Sequence, residues 1–308
     1  MINKPTIIIS SLGRTGTTFF AEFFNNNFEN IFAVHEPEKI NIKSLNFKNI
    51  IWTVKNFGFY DSFVRKAIDG GSLLALSNRL VSGRIGKEEA AKQFIKSRKK
   101  FIKNTSKEIY LESNYHFFGL LGVLDLIFDD YKAVYIIRDP RDWLRSWIDK
   151  KGIFDKSDIH YWLGNRISPQ KANDIKFTKK WSKTSKFERL CWTWNYLNQF
   201  AISSADKNPN IRILKFEDLF VAENKNENMK KLISHLTSLK KAENFNDADI
   251  QKITLTKLEK KINAPQKYKY PKWENWGKNE VILLNEICGN LMEKFGYGGE
   301  ISWINKLK

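Results

Sequence analysis

Thr6-Ile7-Ile8-Ile9-Ser10 is a β-branched run that passes directly into Ser11-Leu12-Gly13-Arg14-Thr15-Gly16-Thr17-Thr18. A run this apolar, with no polar alternation, predicts a strand buried on both faces, as in the middle of a parallel sheet. After the loop, Phe19, Phe20, Phe23 and Phe24 recur with helical spacing, and Asn25-Asn26-Asn27 ends the pattern. Buried strand, glycine loop and helix in immediate succession leave few folds open. They predict a sheet whose first strand delivers a loop and a helix N-terminus to the carboxyl edge. There the backbone N–H groups and the positive end of the helix dipole suit an anion. Gly13 and Gly16 permit the tight turn, and Thr17 and Thr18 add hydroxyl donors. The loop is not a Walker A loop, because its glycines are three apart and no Lys precedes the Thr pair.

The rest of the chain repeats the alternation. Ile31-Phe32-Ala33-Val34 predicts a second strand ending at His35-Glu36-Pro37, Glu108–Glu112 a third, Lys132–Ile137 a fourth and Ile211–Lys215 a fifth. Helical patterns fall at 87–102, 140–151, 187–206, 226–239 and 278–295. A break is expected at Gly70-Gly71. Residues 152–186 are polar and basic and are expected to form a surface insertion, as is the less regular stretch 40–107. The expected architecture is α/β: a P-loop-like parallel sheet of about five strands with helices on both faces and helical insertions, in one domain over 1–308. Trp192 and Trp194 are expected to pack in the core, with a cleft-lining role for one of them left open.

Charge sharpens the choice of partner. The chain has 52 Lys and Arg against 34 Asp and Glu, a formal charge of +18. That excess suits a phosphate- or sulfate-bearing ligand, an acidic surface or a nucleic acid, and equally a solvated Lys-rich surface. The basic runs 96–107 and 171–183 read first as solvated faces, and second as attractors of an anionic glycan. Cys191 and Cys288 are too few for a disulfide framework and predict buried thiols. Four His and two Cys without ligand spacing predict no metal site. No apolar leader or membrane span is read in the chain, so a cytoplasmic protein is expected.

A second constellation lies at the end of the fourth strand. Arg138-Asp139-Pro140-Arg141 joins strand to helix, with Pro140 suited to the first helical turn and Ser146 eight residues after Arg138. An Arg at that edge can grip a phosphate through two parallel hydrogen bonds, and a hydroxyl at Ser146 could share it. The structural alternative is that Arg138 pairs with Asp139 or caps the sheet.

Taken in order, these segments resemble the sulfotransferases that use 3′-phosphoadenosine-5′-phosphosulfate (PAPS). Arg14-Thr15-Gly16-Thr17-Thr18-Phe19 is similar to their 5′-phosphosulfate loop in the Arg-led form of the carbohydrate and tyrosyl enzymes. Ile136 to Arg141, continued to Ser146, is similar to their 3′-phosphate motif. Glu22-Phe23-Phe24-Asn25 with His35-Glu36-Pro37 resembles the carbohydrate branch, Lys215–Leu219 a late Tyr-Glu-Asp-Leu, and Trp273–Tyr297 a common C-terminal helix. The resemblance implies sulfuryl transfer from PAPS to a hydroxyl or amine, without metal. It implies cofactor contacts from Gly13, Arg14, Thr15, Gly16, Thr17, Thr18, Arg138 and Ser146. Two departures stand out. Arg14 replaces the loop Lys of the cytosolic branch, and Glu112-Ser113-Asn114-Tyr115-His116 stands where that branch has a Lys-Thr-His segment.

Charge developing on the leaving phosphate and on the sulfuryl oxygens would be met by the loop amides, Thr17, Thr18 and Arg14, whose guanidinium acts electrostatically. Glu36, at the end of the second strand, is the expected general base, with His116 second. His35 is expected to face away from Glu36, because successive strand residues point to opposite faces. A helix cap or an ion pair with an Arg is the structural alternative for Glu36. The acceptor is expected to be a small molecule or a glycan, anionic in one reading, with no specific nucleic acid, and the oligomeric state stays open. Competing functions are a P-loop nucleotide or small-molecule kinase and a non-catalytic polyanion binder.

Overall fold

The computed structural model describes residues 1–37, 51, 54–57, 73–162, 166–242 and 268–308. The break expected at Gly70-Gly71 lies outside these residues. Five strands form one parallel sheet in the order β2-β3-β1-β4-β5. They are β1 (Thr6–Ser11), β2 (Ile31–His35), β3 (Ile109–Ser113), β4 (Tyr131–Ile137) and β5 (Ile211–Lys215). The central β1 pairs Ile9 with Ser113 of β3 on one side and with Val134 of β4 on the other. The chain leaves β1 towards β2 on one side and later returns to β4 on the other. The loop after β1 therefore sits at the topological switch point, where open α/β sheets bind ligands.

Strand alternation builds two cores. Ile7 and Ile9 of β1, with Ile109, Leu111, Val134 and Ile136, face α1 (Thr17–Asn27). Ile8, with Tyr110, Ala133, Tyr135 and Ile137, faces the larger opposite core. Both sets are almost completely buried, as a doubly covered parallel sheet requires. Phe20, Phe23 and Phe24 of α1 are at most 2% exposed, so the spaced phenylalanines seen in the sequence do form its buried face.

Beyond β2 come α2 (Leu73–Val81) and α3 (Lys87–Lys103), and after β4 comes α4 (Pro140–Ile148). The long α5 (Lys186–Ala205) opens with a capping box, in which Ser185 and Glu188 satisfy each other's backbone N–H groups. After β5 follow the short α6 (Phe216–Phe220), α7 (Lys225–Thr237), α8 (Lys278–Lys294) and α9 (Ile301–Leu307). α7 shares the core with α1, while α5, α8 and Trp303 of α9 cover the other face. Helices on both faces of a parallel sheet agree with the sequence reading. Cys191 and Cys288 are both buried free thiols, as expected.

Segment 152–186 is not a surface insertion. Phe154, Ile167, Phe177 and Trp181 are buried in the larger core. Its polar residues order it from within: Asp158, 2% exposed, accepts from the backbone of Phe154 at 2.8 Å and pairs with Arg166 at 2.7 Å. The Arg166 guanidinium stacks on the Phe154 ring at 4.2 Å. Composition concealed this, because the few apolar anchors are widely spaced among many lysines. Trp192 and Trp194 are core residues, and the Trp194 indole N–H donates to the Arg138 carbonyl at 3.0 Å.

Candidate active site

All five strands end on one edge, and the residues just after β1, β2, β3 and β4 carry the candidate site there. The loop after β1 is held by Ser11, whose hydroxyl oxygen accepts from the Gly13 amide at 2.9 Å and from the Thr15 hydroxyl at 2.6 Å. Thr15 is thus turned inward and 1% exposed, and only its backbone remains for a ligand. Three residues of the loop have positive φ: Gly13 at 78°, Arg14 at 61° and Gly16 at 79°. The two glycines take this conformation without penalty, whereas Arg14 is held in a region that L residues rarely adopt. A side chain at Gly16 would also meet the Phe220 ring at 3.0 Å. Gly16 is the N-cap of α1, and no side chain caps this end. The first-turn amides of α1 have no intrahelical acceptor, so they are available to an anion.

Arg138, at the end of β4, is joined to this loop. One guanidinium N–H donates to the Arg14 carbonyl at 2.7 Å, and the group stacks on Phe216 of α6 at 4.5 Å. Its Nε is buried without a hydrogen-bond partner. The alternative pairing with Asp139 is not what forms. Asp139 instead caps α4 and binds Arg141, which also binds Glu300 at 2.7 Å and lies against the rings of Trp273 and Trp303. The two arginines of Arg138-Asp139-Pro140-Arg141 therefore divide their work: Arg138 faces the loop, and Arg141 ties the C-terminal helix to the sheet edge. Burial raises the Asp139 carboxyl above its usual range against the pull of Arg141. Ser146 is 3% exposed, and its hydroxyl donates to the Trp143 carbonyl at 2.6 Å. To give that proton to a phosphate, the hydroxyl has to rotate away from its own helix.

Next to the loop lies a cavity of about 590 Å³. Arg14, Glu36 and His116 all line it, so the structure brings the three expected catalytic residues to one space. Glu36 follows β2 and is 6% exposed. His116 lies in a 3₁₀ turn (Tyr115–Gly119) after β3, fixed by the Asn114 side chain, which accepts from the His116 amide at 3.0 Å. Tyr115, Trp143, Trp147, Phe154 and Arg166 contribute other parts of the wall. The indole Nε1 of Trp147 and the Nε of Arg14 are buried donors without a partner. His160, also on the wall, is kept below the usual imidazole range by burial and by Arg166.

One sequence expectation fails here. His35 and Glu36 do not point apart: His35 Nε2 lies 3.4 Å from Glu36 Oε1. Strand alternation ends at His35, and Glu36 has a φ of 43°, which turns its carboxylate back. Sequence reading also missed the walls. Trp147 lies on the same α4 as Ser146, but Phe154 and Arg166 carry no motif, and Phe216 and Phe220 look like ordinary core residues. Among the described residues, no cluster of His, Cys, Asp and Glu is placed to hold a metal, and no helix is long and apolar enough to cross a membrane.

A parallel sheet, a glycine loop opening a helix, an arginine at the neighbouring strand end and an adjoining cavity together form an arrangement of P-loop-like type. The particular family follows from the sequence as a whole: the sulfotransferase domain matches residues 4–273, and the chain belongs to that family. It is therefore a transferase by class. Among solved structures it is similar to a sulfotransferase domain from the curacin biosynthetic pathway, at 11% identity and a TM-score of 0.37, covering 77% of this chain and 74% of that one. No curated protein matches the chain.

Proposed function

We propose that the protein transfers a sulfuryl group from PAPS to a hydroxyl of a carbohydrate held in the cavity, with Glu36 as general base. The observation that carries this reading is the position of Arg14. Arg14 lines the cavity that contains Glu36, and its carbonyl accepts from the Arg138 guanidinium at 2.7 Å. One residue thus joins the anion loop to the cavity.

The residues fit the cofactor. The uncapped first turn of α1 suits the 5′ phosphosulfate, and the unpartnered Nε of Arg138 suits the 3′ phosphate. Bound there, PAPS supplies the sulfuryl group, its sulfur–oxygen bond to the 5′ phosphate breaking as the bond to the acceptor oxygen forms. Arg14 and the amides from Gly16 to Thr18 are already oriented, so they meet charge on the transferring oxygens with little reorganisation. Glu36 takes the acceptor proton. Thr17 is tied to β3, since the Ser113 hydroxyl donates to its carbonyl at 2.7 Å, and this fixes the first turn of α1.

A sugar suits the wall, where aromatic faces alternate with buried donors such as the Trp147 indole. Residues 150–186, which furnish part of that wall, carry ten Lys and Arg against three Asp, a net +7, and this favours an anionic glycan. A cytoplasmic setting belongs to the same proposal and is supported by the two unlinked thiols. Family membership sets the kinase reading aside.

The test has two parts. The product adenosine 3′,5′-bisphosphate should raise the melting temperature of the folded protein. Radiolabelled sulfate from PAPS should then enter a member of a panel of neutral and anionic oligosaccharides. Absence of any thermal shift at saturating bisphosphate overturns the cofactor assignment, and label appearing only in phenols overturns the carbohydrate.

A further inference from the structure

The base has a neighbour whose state is fixed by geometry. His35 closes β2 opposite Ser113 of β3. Its Nδ1 lies 2.8 Å from the Ser113 carbonyl oxygen. A carbonyl oxygen only accepts, so Nδ1 carries a hydrogen. In the neutral ring Nε2 then presents a lone pair, and that lone pair faces Glu36 Oε1 at 3.4 Å. Two acceptors opposed at this distance repel, unless a proton lies between them. The backbone at Glu36, with φ at 43°, is what directs the carboxylate to this position. Backbone strain of this kind gathers where function requires a geometry that packing alone would not choose.

We propose that His35 and Glu36 hold one proton in common and act as a coupled pair, with His35 as the positioning residue that fixes Glu36 and carries its proton out. This rests on the reading of Glu36 as the base. Loss of the shared proton to solvent leaves a Glu36 carboxylate beside a neutral His35, and this is the active form. During transfer the acceptor O–H bond breaks, and its electron pair goes into the new bond to sulfur. The proton moves to Glu36 and from there to Nε2 of His35, giving an imidazolium beside a carboxylate. His35 then releases it to water. The exposures fit this direction. The Glu36 side chain is 5% exposed and cannot discharge readily to solvent, whereas that of His35 is 24% exposed.

Among the described residues, Arg14, His116, Lys150, His160 and Arg166 line the cavity with Glu36. Glu112 of β3 is engaged by Arg98 at 3.2 Å and by the Tyr110 hydroxyl at 2.6 Å. Glu22 of α1 is exposed.

The pair can be followed without any acceptor. In the full-length protein with ¹⁵N-labelled histidine, His35 should appear as the Nδ1–H tautomer when neutral. Its Nε2 resonance should shift in Glu36→Gln, because the carboxylate that shares the proton with it is gone. Bisphosphate release from PAPS, without added acceptor, supplies the kinetic arm. His35→Gln keeps an N–H donor but cannot carry a proton. It should lower kcat about tenfold or more and move the acid limb of the pH profile to lower pH, towards that of a lone carboxylate, with the KM for PAPS unchanged. A merely structural His35 would instead lower stability and leave the limb in place. An unmoved His35 Nε2 resonance in Glu36→Gln, or a wild-type pH profile in His35→Gln, overturns the pair. If Glu36→Gln retains full turnover, the base assignment falls, and the histidine Nε2 resonance still decides whether the pair exists.

Discussion

The proposed cofactor side and the proposed acceptor side of this molecule share Arg14 but are built on different principles. On the first, the proposed contacts come from backbone and from short runs of sequence: the loop from Ser11 to Thr18 and the strand end at Arg138. On the second, the wall is assembled from residues of the loop after β1, Glu36 after β2, α2, the turn after β3, α4, the chain between Lys150 and Ile167, and α5. A backbone-built anion site is insensitive to most side chains and sensitive to φ. A cavity lined by side chains has the opposite sensitivities. Substitutions on the two sides should therefore separate nucleotide binding from turnover and acceptor affinity.

The largest separation is expected at Glu36. Glu36→Gln should lower turnover by about 10²–10⁴-fold while leaving the affinity for adenosine 3′,5′-bisphosphate within about twofold of the wild type. Calorimetry with the bisphosphate, beside the turnover assay, checks both numbers, and an equal loss in each would erase the distinction between the sides. Next comes Arg138→Ala. Losing a charged hydrogen bond costs about 1.5–3 kcal/mol, so bisphosphate affinity should fall roughly ten- to a hundredfold while affinity for adenosine 5′-monophosphate changes little. A uniform loss for both nucleotides would mean that Arg138 only holds the loop through the Arg14 carbonyl.

Gly16→Ala tests the backbone itself. The positive φ and the approach of Phe220 together should cost about 1–2 kcal/mol, read as lower stability and weaker bisphosphate binding in the same variant. Normal nucleotide affinity in that variant would show that this turn is not the anion site. The smallest effect belongs to the acceptor wall. Trp147→Phe removes an indole N–H with no protein partner and should raise the acceptor KM only a few-fold, about 0.5–1.5 kcal/mol, with bisphosphate affinity untouched. A change in nucleotide affinity instead would move Trp147 to the other side of the comparison.

How much was legible follows the same division. The five strands were readable to within about a residue at most ends, because a strand covered on both faces has to be an unbroken apolar run. The glycine loop was readable because positive φ selects glycine at fixed positions in the chain. Glu36, His116 and Arg14 were nameable singly, yet nothing local showed that they border one cavity. Reading strand alternation one residue too far put His35 and Glu36 on opposite faces, when a left-handed residue ends the strand there. Segment 152–186 misled for a different reason. Its lysines give it a basic composition, while its packing depends on Phe154, Ile167, Phe177 and Trp181, which are too scattered to form a periodic signal.

The sequence by itself determined the parallel sheet, the loop at its first strand and the arginine at its fourth, because each depends on backbone conformation or burial pattern within a few neighbouring residues. Only the tertiary structure decided which arginine of Arg138-Asp139-Pro140-Arg141 faces the site, that Arg14 bridges loop and cavity, and that a histidine meets the candidate base. Those are contacts between residues far apart in the chain or turned by a single backbone angle. They exist only after the sheet order has set the strand ends side by side.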